Sequence, residues 1–167
     1  MPRRLLFIAL VCASVLTSAL PCATTLFAAP LATSNAVLKE RLWDLTQSYH
    51  VRAGCAAWKH DARLDTAAQL HAEDIASHQW ISHVGTDGAT VRQRVRRQGY
   101  PVNRASEGIA IYRTPDQAVG FWMGEPPSGP HRMNITWCQY TDAGVGLAYD
   151  RDGQRWWVMD YANRTAG

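Results

Sequence analysis

The end of the chain constrains its fold most. Gly144-Val145-Gly146-Leu147-Ala148-Tyr149 alternates small and large residues, Asp152-Gly153 supplies turn chemistry, and Trp156-Trp157-Val158-Met159-Asp160-Tyr161 returns. Two apolar runs joined by such a turn predict a β-hairpin. What comes before has helical periodicity. Leu38, Leu42, Leu45 and Tyr49 recur at spacings of four, three and four, one apolar stripe on a helix. Ser34 or Asn35 caps its start, and Gly54 ends it in the left-handed conformation. A second helical stretch runs from Leu64 to about Ser77, with Leu64, Ala67, Ala68, His71 and Ile75 on its apolar face. Helices first, a hairpin last and no internal repeat imply an α+β domain, with helices packed on an antiparallel sheet.

The middle of the chain is punctuated by turn and cap signals. Ile81-Ser82-His83-Val84-Gly85-Thr86-Asp87-Gly88 places His83 on a loop or a helix exit. Thr90 and Gln93 form a capping box for a short helix from Val91 to Gln98, closed by Gly99. Its arginines, Arg92, Arg94, Arg96 and Arg97, point in several directions and read as a solvated face. Glu107 opens the apolar run Gly108-Ile109-Ala110-Ile111-Tyr112, a place where a lone carboxylate is a surface or capping group. Thr114-Pro115-Asp116-Gln117 is a complete helix start, and that helix stops at Glu125 because Pro126 cannot continue it. His131 follows across the break, so a carboxylate and an imidazole flank a proline-rich spacer. These are the groups that bind divalent metals and move protons near neutral pH. His71, on the buried stripe of the second helix, reads either as a core histidine or as a partner orienting a site residue.

The first thirty residues differ in kind. Pro2-Arg3-Arg4, the apolar run Leu5 to Leu20, and small residues and prolines to Pro30 describe a secretory signal segment and short linker, leaving residues 31–167 as one domain. A membrane helix is the rival reading; the Ser, Thr and Ala content of the run favours the signal. No second apolar span follows, so the mature chain is expected outside the cytoplasm without a transmembrane segment. Cys12 and Cys22 fall in the leader, and Cys55 and Cys138 remain. An even number in an oxidising compartment makes one disulfide the default and two separate buried thiols the alternative. A bridge would close a loop of about 80 residues, roughly 4 kcal/mol on the chain-entropy account. The net charge of +3 is mild, with only Lys39 and Lys59 among the cations besides arginine, and no nucleic-acid partner is expected.

The motifs fall in the order of a known family. Ala67-Ala68-Gln69-Leu70-His71-Ala72-Glu73-Asp74, Ser82-His83-Val84-Gly85-Thr86-Asp87-Gly88, Gly99-Tyr100, Glu107-Gly108-Ile109-Ala110, Trp122-Met123, His131-Arg132-Met133-Asn134-Ile135 and Gly144-Val145-Gly146 resemble the CAP superfamily of cysteine-rich secretory, antigen 5 and pathogenesis-related proteins. The likeness spans roughly residues 38 to 162 and is greatest to short secreted bacterial members. It implies an α-β-α sandwich with a central antiparallel sheet between helix layers and a central cleft. In that cleft it implies His83 and His131 as ligands for a divalent metal such as zinc, with Glu107 and Glu125 beside them. The placement of Cys55 and Cys138 resembles a subgroup in which the two pair. Two departures stand out. Gly108 replaces the asparagine usual after the first glutamate, removing a side-chain hydrogen-bonding group and loosening the backbone. The spacer Pro126 to Pro130 leaves Ser128 as an alternative to Glu125 for the fourth position.

For function, the resemblance implies a secreted binding module for an apolar or lipid ligand or an envelope component. The alternatives are a metal-dependent hydrolase using the same cleft, or a non-catalytic envelope protein. No His-Glu-x-x-His helix and no Ser or Cys nucleophile with an evident partner occurs, so the reading leans away from an enzyme.

Overall fold

The computed structural model describes residues 34–165; the leader read over residues 1–30 lies outside them. In chain order the elements are α1 (Asn35–Arg52), β1 (Lys59–His60), α2 (Ala62–His78), α3 (Val91–Arg97), β2 (Val102–Ile111), α4 (Pro115–Gly124), α5 (Pro130–Thr136), β3 (Asp142–Tyr149) and β4 (Arg155–Arg164). The sheet order is β1-β3-β4-β2. β4 pairs antiparallel with both β3 and β2, and the two-residue β1 adds a parallel rung to β3. The sheet is thus antiparallel apart from β1, and helices cover both faces. α2 lies on one face, and α1, α4 and α5 form the other layer.

Alternation along the hairpin builds the two cores. Val145, Leu147, Trp157, Met159 and Tyr161 pack with Leu42, Trp58, Trp122 and Ile135 under α1, α4 and α5. Ala148, Trp156 and Val158 meet Ala68, Ala72, Ile75 and Ala76 of α2, joined by Ile109. Four of the seven tryptophans, Trp58, Trp122, Trp156 and Trp157, are buried, so most of the indole content is core.

The α2 side is thin, and its small residues explain the alternation of Gly144 and Gly146. A Cβ at Gly144 would lie 2.3 Å from the backbone nitrogen of Asp65, and one at Gly146 would lie 2.3 Å from the carbonyl group of Ala68. The helix backbone rests directly on β3, with Ala67, Ala68 and Ala72 almost fully buried. Where β1 stops, α2 finishes the edge of β3 with side chains. Asp65 accepts the Val145 N–H at 2.8 Å and Gln69 accepts the Leu147 N–H at 3.1 Å. Amides capped in this way deny the edge to another strand.

Caps appear where the sequence puts them. Ser34 rather than Asn35 caps α1, and Gly54 follows with a φ of 90°. Thr90–Gln93 and Thr114–Gln117 start α3 and α4. α2 begins at Ala62, two residues before the expected start, because Asp61 caps it by accepting the Arg63 N–H at 3.0 Å. Cys55, beyond α1, is disulfide-bonded to Cys138, beyond α5, with Cα atoms 4.9 Å apart. The bridge ties the exits of two helices in the same layer.

Asp61 also binds the last strand: Arg63 and Arg164 both donate to its Oδ2 at 2.7 Å, and Arg164 reaches Asp142 at 3.0 Å. The hydrogen bonds from Arg63, outweighing burial, hold the Asp61 carboxyl down at about 2. A depressed carboxyl contributes stability that is present above its unfolded value and lost as pH falls through the folded one. Acid titration is therefore expected to remove about 2 kcal/mol between roughly pH 4 and 2, and Asp61→Asn to flatten that part of the stability curve. Gly146→Ala is expected to destabilise by about 3 kcal/mol or more, since backbone must move to admit the methyl group; urea denaturation reads both.

Candidate functional site

β2 is the edge strand opposite β1, and it carries the centre of the site. Expected as a surface or capping group, Glu107 is 4 % exposed, midway along a strand paired residue by residue with β4. Its side chain leaves the sheet on the α2 face, where a charge needs partners. His83 Nδ1 donates to its Oε1 at 2.8 Å and Arg94 Nη2 to its Oε2 at 2.6 Å. Its backbone carbonyl accepts from Asn134 of α5 at 3.2 Å.

Arg94 corrects the reading of α3 as solvated throughout. It is buried, and beyond Glu107 it donates to the carbonyls of Ala89 and His83. The signal was its spacing: Val91, Arg94 and Val95 share one face of α3, the face turned inward. Arg92 and Arg96 are exposed, and Arg97 pairs with Asp87 at the surface.

His71 is 1 % exposed and joins the core to the site. Its Nε2 donates to the Ser82 carbonyl at 2.8 Å, one residue before His83, and lies 3.6 Å from Glu107 Oε1. Burial pushes its ring below the ordinary histidine value, so the ring is neutral. One histidine thus packs α2 and fixes the loop carrying another.

The second imidazole comes from the first turn of α5. His131 Nδ1 donates to Glu125 Oε1 at 2.6 Å, while Glu125 Oε2 accepts the backbone N–H of His131 at 2.8 Å. Glu125 therefore caps the helix across the spacer and orients the ring with one carboxylate. The spacer permits this by turning tightly, with the Gly129 N–H donating to Pro126 O at 2.7 Å. A Cβ at Gly129 would sit 2.6 Å from Glu125 Oε2, so the fold-back needs glycine there. Ser128 is exposed and makes no side-chain hydrogen bond among the described residues. Burial opposes the Glu125 charge, but bonds from the His131 ring and the α5 amides outweigh it and hold the carboxyl below the ordinary glutamate value.

His83 and His131 both line two adjoining hollows. One, of about 480 Å3, is bounded by Ser106, Glu107, Asn134 and Tyr140; the other, of about 370 Å3, by Ile81, Ile109, Ile111, Tyr112 and Phe121. Each histidine gives its Nδ1 to a carboxylate, which leaves Nε2 as the lone-pair nitrogen. Carboxylate–imidazole pairs of this kind orient metal-binding histidines. Among the described residues no group of three His, Cys, Asp or Glu side chains converges as a metal site, so a metal here would take two protein ligands.

Gly108 does not loosen the strand. It is buried in register with Met159, and a Cβ would meet the Trp122 ring at 3.3 Å. That indole donates to the Ile109 carbonyl at 3.0 Å. Arg94→Ala is expected to cost about 3–5 kcal/mol in urea denaturation by stranding the Glu107 charge. Glu107→Gln should also destabilise in the same measurement, because its amide oxygen still accepts from Arg94 but leaves that buried guanidinium without its counter-charge.

The chain is similar in sequence to the membrane protein YlbC of Bacillus subtilis (strain 168), at 28 % identity over 110 residues, 65 % of this chain and 31 % of that one. Its fold is similar to that of an outer surface protein from Borrelia burgdorferi, with a TM-score of 0.68 at 17 % identity over 75 % of this chain and 92 % of that one. An extracellular SCP-domain protein from Bacillus anthracis str. Ames aligns with a TM-score of 0.66 at 22 % identity, over 80 % of this chain and 44 % of that one. The chain thus spans about a third of YlbC and under half of the Bacillus anthracis protein. The model of the cysteine-rich secretory protein family, CAP, matches residues 43–161, from α1 to the β4 strand that pairs with Glu107, and the chain belongs to that family.

Proposed function

We propose that the chain is a secreted binding module in which His83 and His131 hold a divalent metal such as zinc, and the neighbouring hollow receives an apolar or lipid ligand or an envelope component. The observation that carries this reading is the paired arrangement of the two imidazoles. Each Nδ1 is engaged by a carboxylate, and both rings border the same two hollows. The metal, when bound, would supply a Lewis-acidic centre between a polar and an apolar compartment. The residues themselves fix ring orientation: Glu107 through Arg94, and Glu125 through the α5 amides.

Apolar surface supports the ligand class. Ile81 is 62 % exposed, Phe121 43 % and Met133 51 %, and all three border the hollows beside His83 and His131. Exposed apolar side chains gathered at a concavity are a mark of recognition rather than of packing. Secretion rests on the leader pattern; among the described residues no helix is long and apolar enough to cross a membrane.

Binding is favoured over hydrolysis by the role each carboxylate already plays. Glu107 accepts from His83 and Arg94, and Glu125 accepts from the ring and the backbone N–H of His131, so each orients a histidine. Calorimetric titration with zinc is expected to show one ion per chain and to lose its heat in the His83→Ala/His131→Ala double variant. Glu125→Gln should weaken binding about 10–100-fold, the usual effect of removing a carboxylate behind a ligating histidine. Heats unchanged in the double variant would remove the metal from the proposal.

A further inference from the structure

Beneath Glu107 lies a second carboxyl group that takes no part in the two histidine–carboxylate pairs. Asp160 stands directly opposite Glu107 in the β2–β4 register and is 0 % exposed. Neither of its oxygens is reached by a hydrogen-bond donor among the described residues. Facing pairs whose backbone groups turn outward bring side chains close on one face. Glu107 and Ile109 have carbonyls turned away from β4, to Asn134 and Trp122, so Glu107–Asp160 is such a pair.

The charges around the pair do not balance if both carboxyls are ionised. α3 supplies one guanidinium, Arg94, already bonded to Glu107. α2 supplies His71, neutral and 3.6 Å from Glu107. β3 supplies Gly144 opposite Asp160, with no side chain to offer. The next residue in β4 is Tyr161, whose hydroxyl is held protonated by burial and then by Asp160. Two adjacent buried carboxylates with one cation keep a shared proton, since like charges at close range disfavour joint ionisation.

We infer that Asp160 is a carboxylic acid protonated near neutral pH, whose O–H donates to Glu107 and holds that carboxylate in place for His83. Geometry decides which partner keeps the proton. Both Glu107 oxygens accept from donors, the stable arrangement for an ionised group, whereas Asp160 has no donor at all among the described residues. Burial first, and Glu107 second, push the Asp160 carboxyl well above the ordinary range. Asp160 is a positioning residue that acts through Glu107, and it stands whether or not the cleft holds a metal.

Linkage makes this testable in the full chain. A raised carboxyl contributes stability that is present below its unfolded value and lost as pH rises toward the folded one. Above the ordinary aspartate value of about 3.9, the unfolding constant of the wild type should rise relative to that of Asp160→Asn by up to about tenfold per pH unit, until Asp160 itself ionises in the folded chain. A ratio independent of pH would overturn the inference. The second measurement uses no variant: 13C NMR of the wild-type Asp160 side-chain carboxyl near neutral pH should show the protonated form, and a carboxylate shift there would overturn it even if Asp160→Asn failed to fold.

Discussion

The charge of Glu107 organises the site because it is placed where water cannot reach it. A buried carboxylate is tolerated only when donors surround it. Those donors come from separate parts of the chain: His83 from the loop after α2, and Arg94 from α3. Arg94 in turn gathers the carbonyls of Ala89 and His83, and Asn134 draws α5 to the Glu107 backbone. Compensating one charge therefore fixes the mutual positions of a loop, α3 and an edge strand, and the backbone of the same residue holds α5. Neither α3 nor α5, at seven residues each, is long enough to be stable by its own hydrogen bonds.

The thin α2 interface makes that compensation reach across the sheet. With glycines at 144 and 146 and alanines opposite, the helix lies close enough for its polar residues to touch strand backbone. His71 sits on the same helix and reaches both Glu107 and Ser82. A bulkier packing layer would lift His71 away from the strand and uncouple the loop from the core. Stability and site geometry thus share one set of small residues, and a change at Gly146 is felt at His83 through the helix between them.

Local signals in the sequence carried much of this. The hairpin, the caps of α1, α3 and α4, and the burial of His71 all follow from periodicity and turn chemistry within short windows. The sites misread were those where a long-range partner reverses a local preference. Glu107 reads as a surface group until the register sets it among Arg94, His71 and Asp160. Arg94 is one of four arginines in a seven-residue helix, and only its spacing from Val91 and Val95 marks it as inward. Gly108 reads as a loosening substitution until Trp122 is found against it. The two-residue β1 carries no pattern of its own, since its rung depends entirely on β3.

The two histidine–carboxylate pairs look alike in composition and differ in physics. Glu125 is partly exposed, and its charge is stabilised by the amides at the start of α5, so it depends on one turn and one glycine. Glu107 is held by an ion pair and a neighbouring acid inside the sheet, so it depends on the whole fold. His83, tethered to the rigid pair, is itself 58 % exposed at the side chain, whereas His131, tethered to the local turn, is 19 % exposed. Rigidity and accessibility therefore fall together on the His83 side of the cleft. On the proposed function, a ligand in the apolar hollow would meet an open imidazole held by the sheet and a sheltered imidazole held by a local turn. Accommodation is then expected on the α5 side, where moving the ring disturbs Glu125, Phe121 and the Pro126–Gly129 turn and leaves the sheet in place. The β2 side keeps its geometry because any displacement there would expose the Glu107 charge to a loss of its donors.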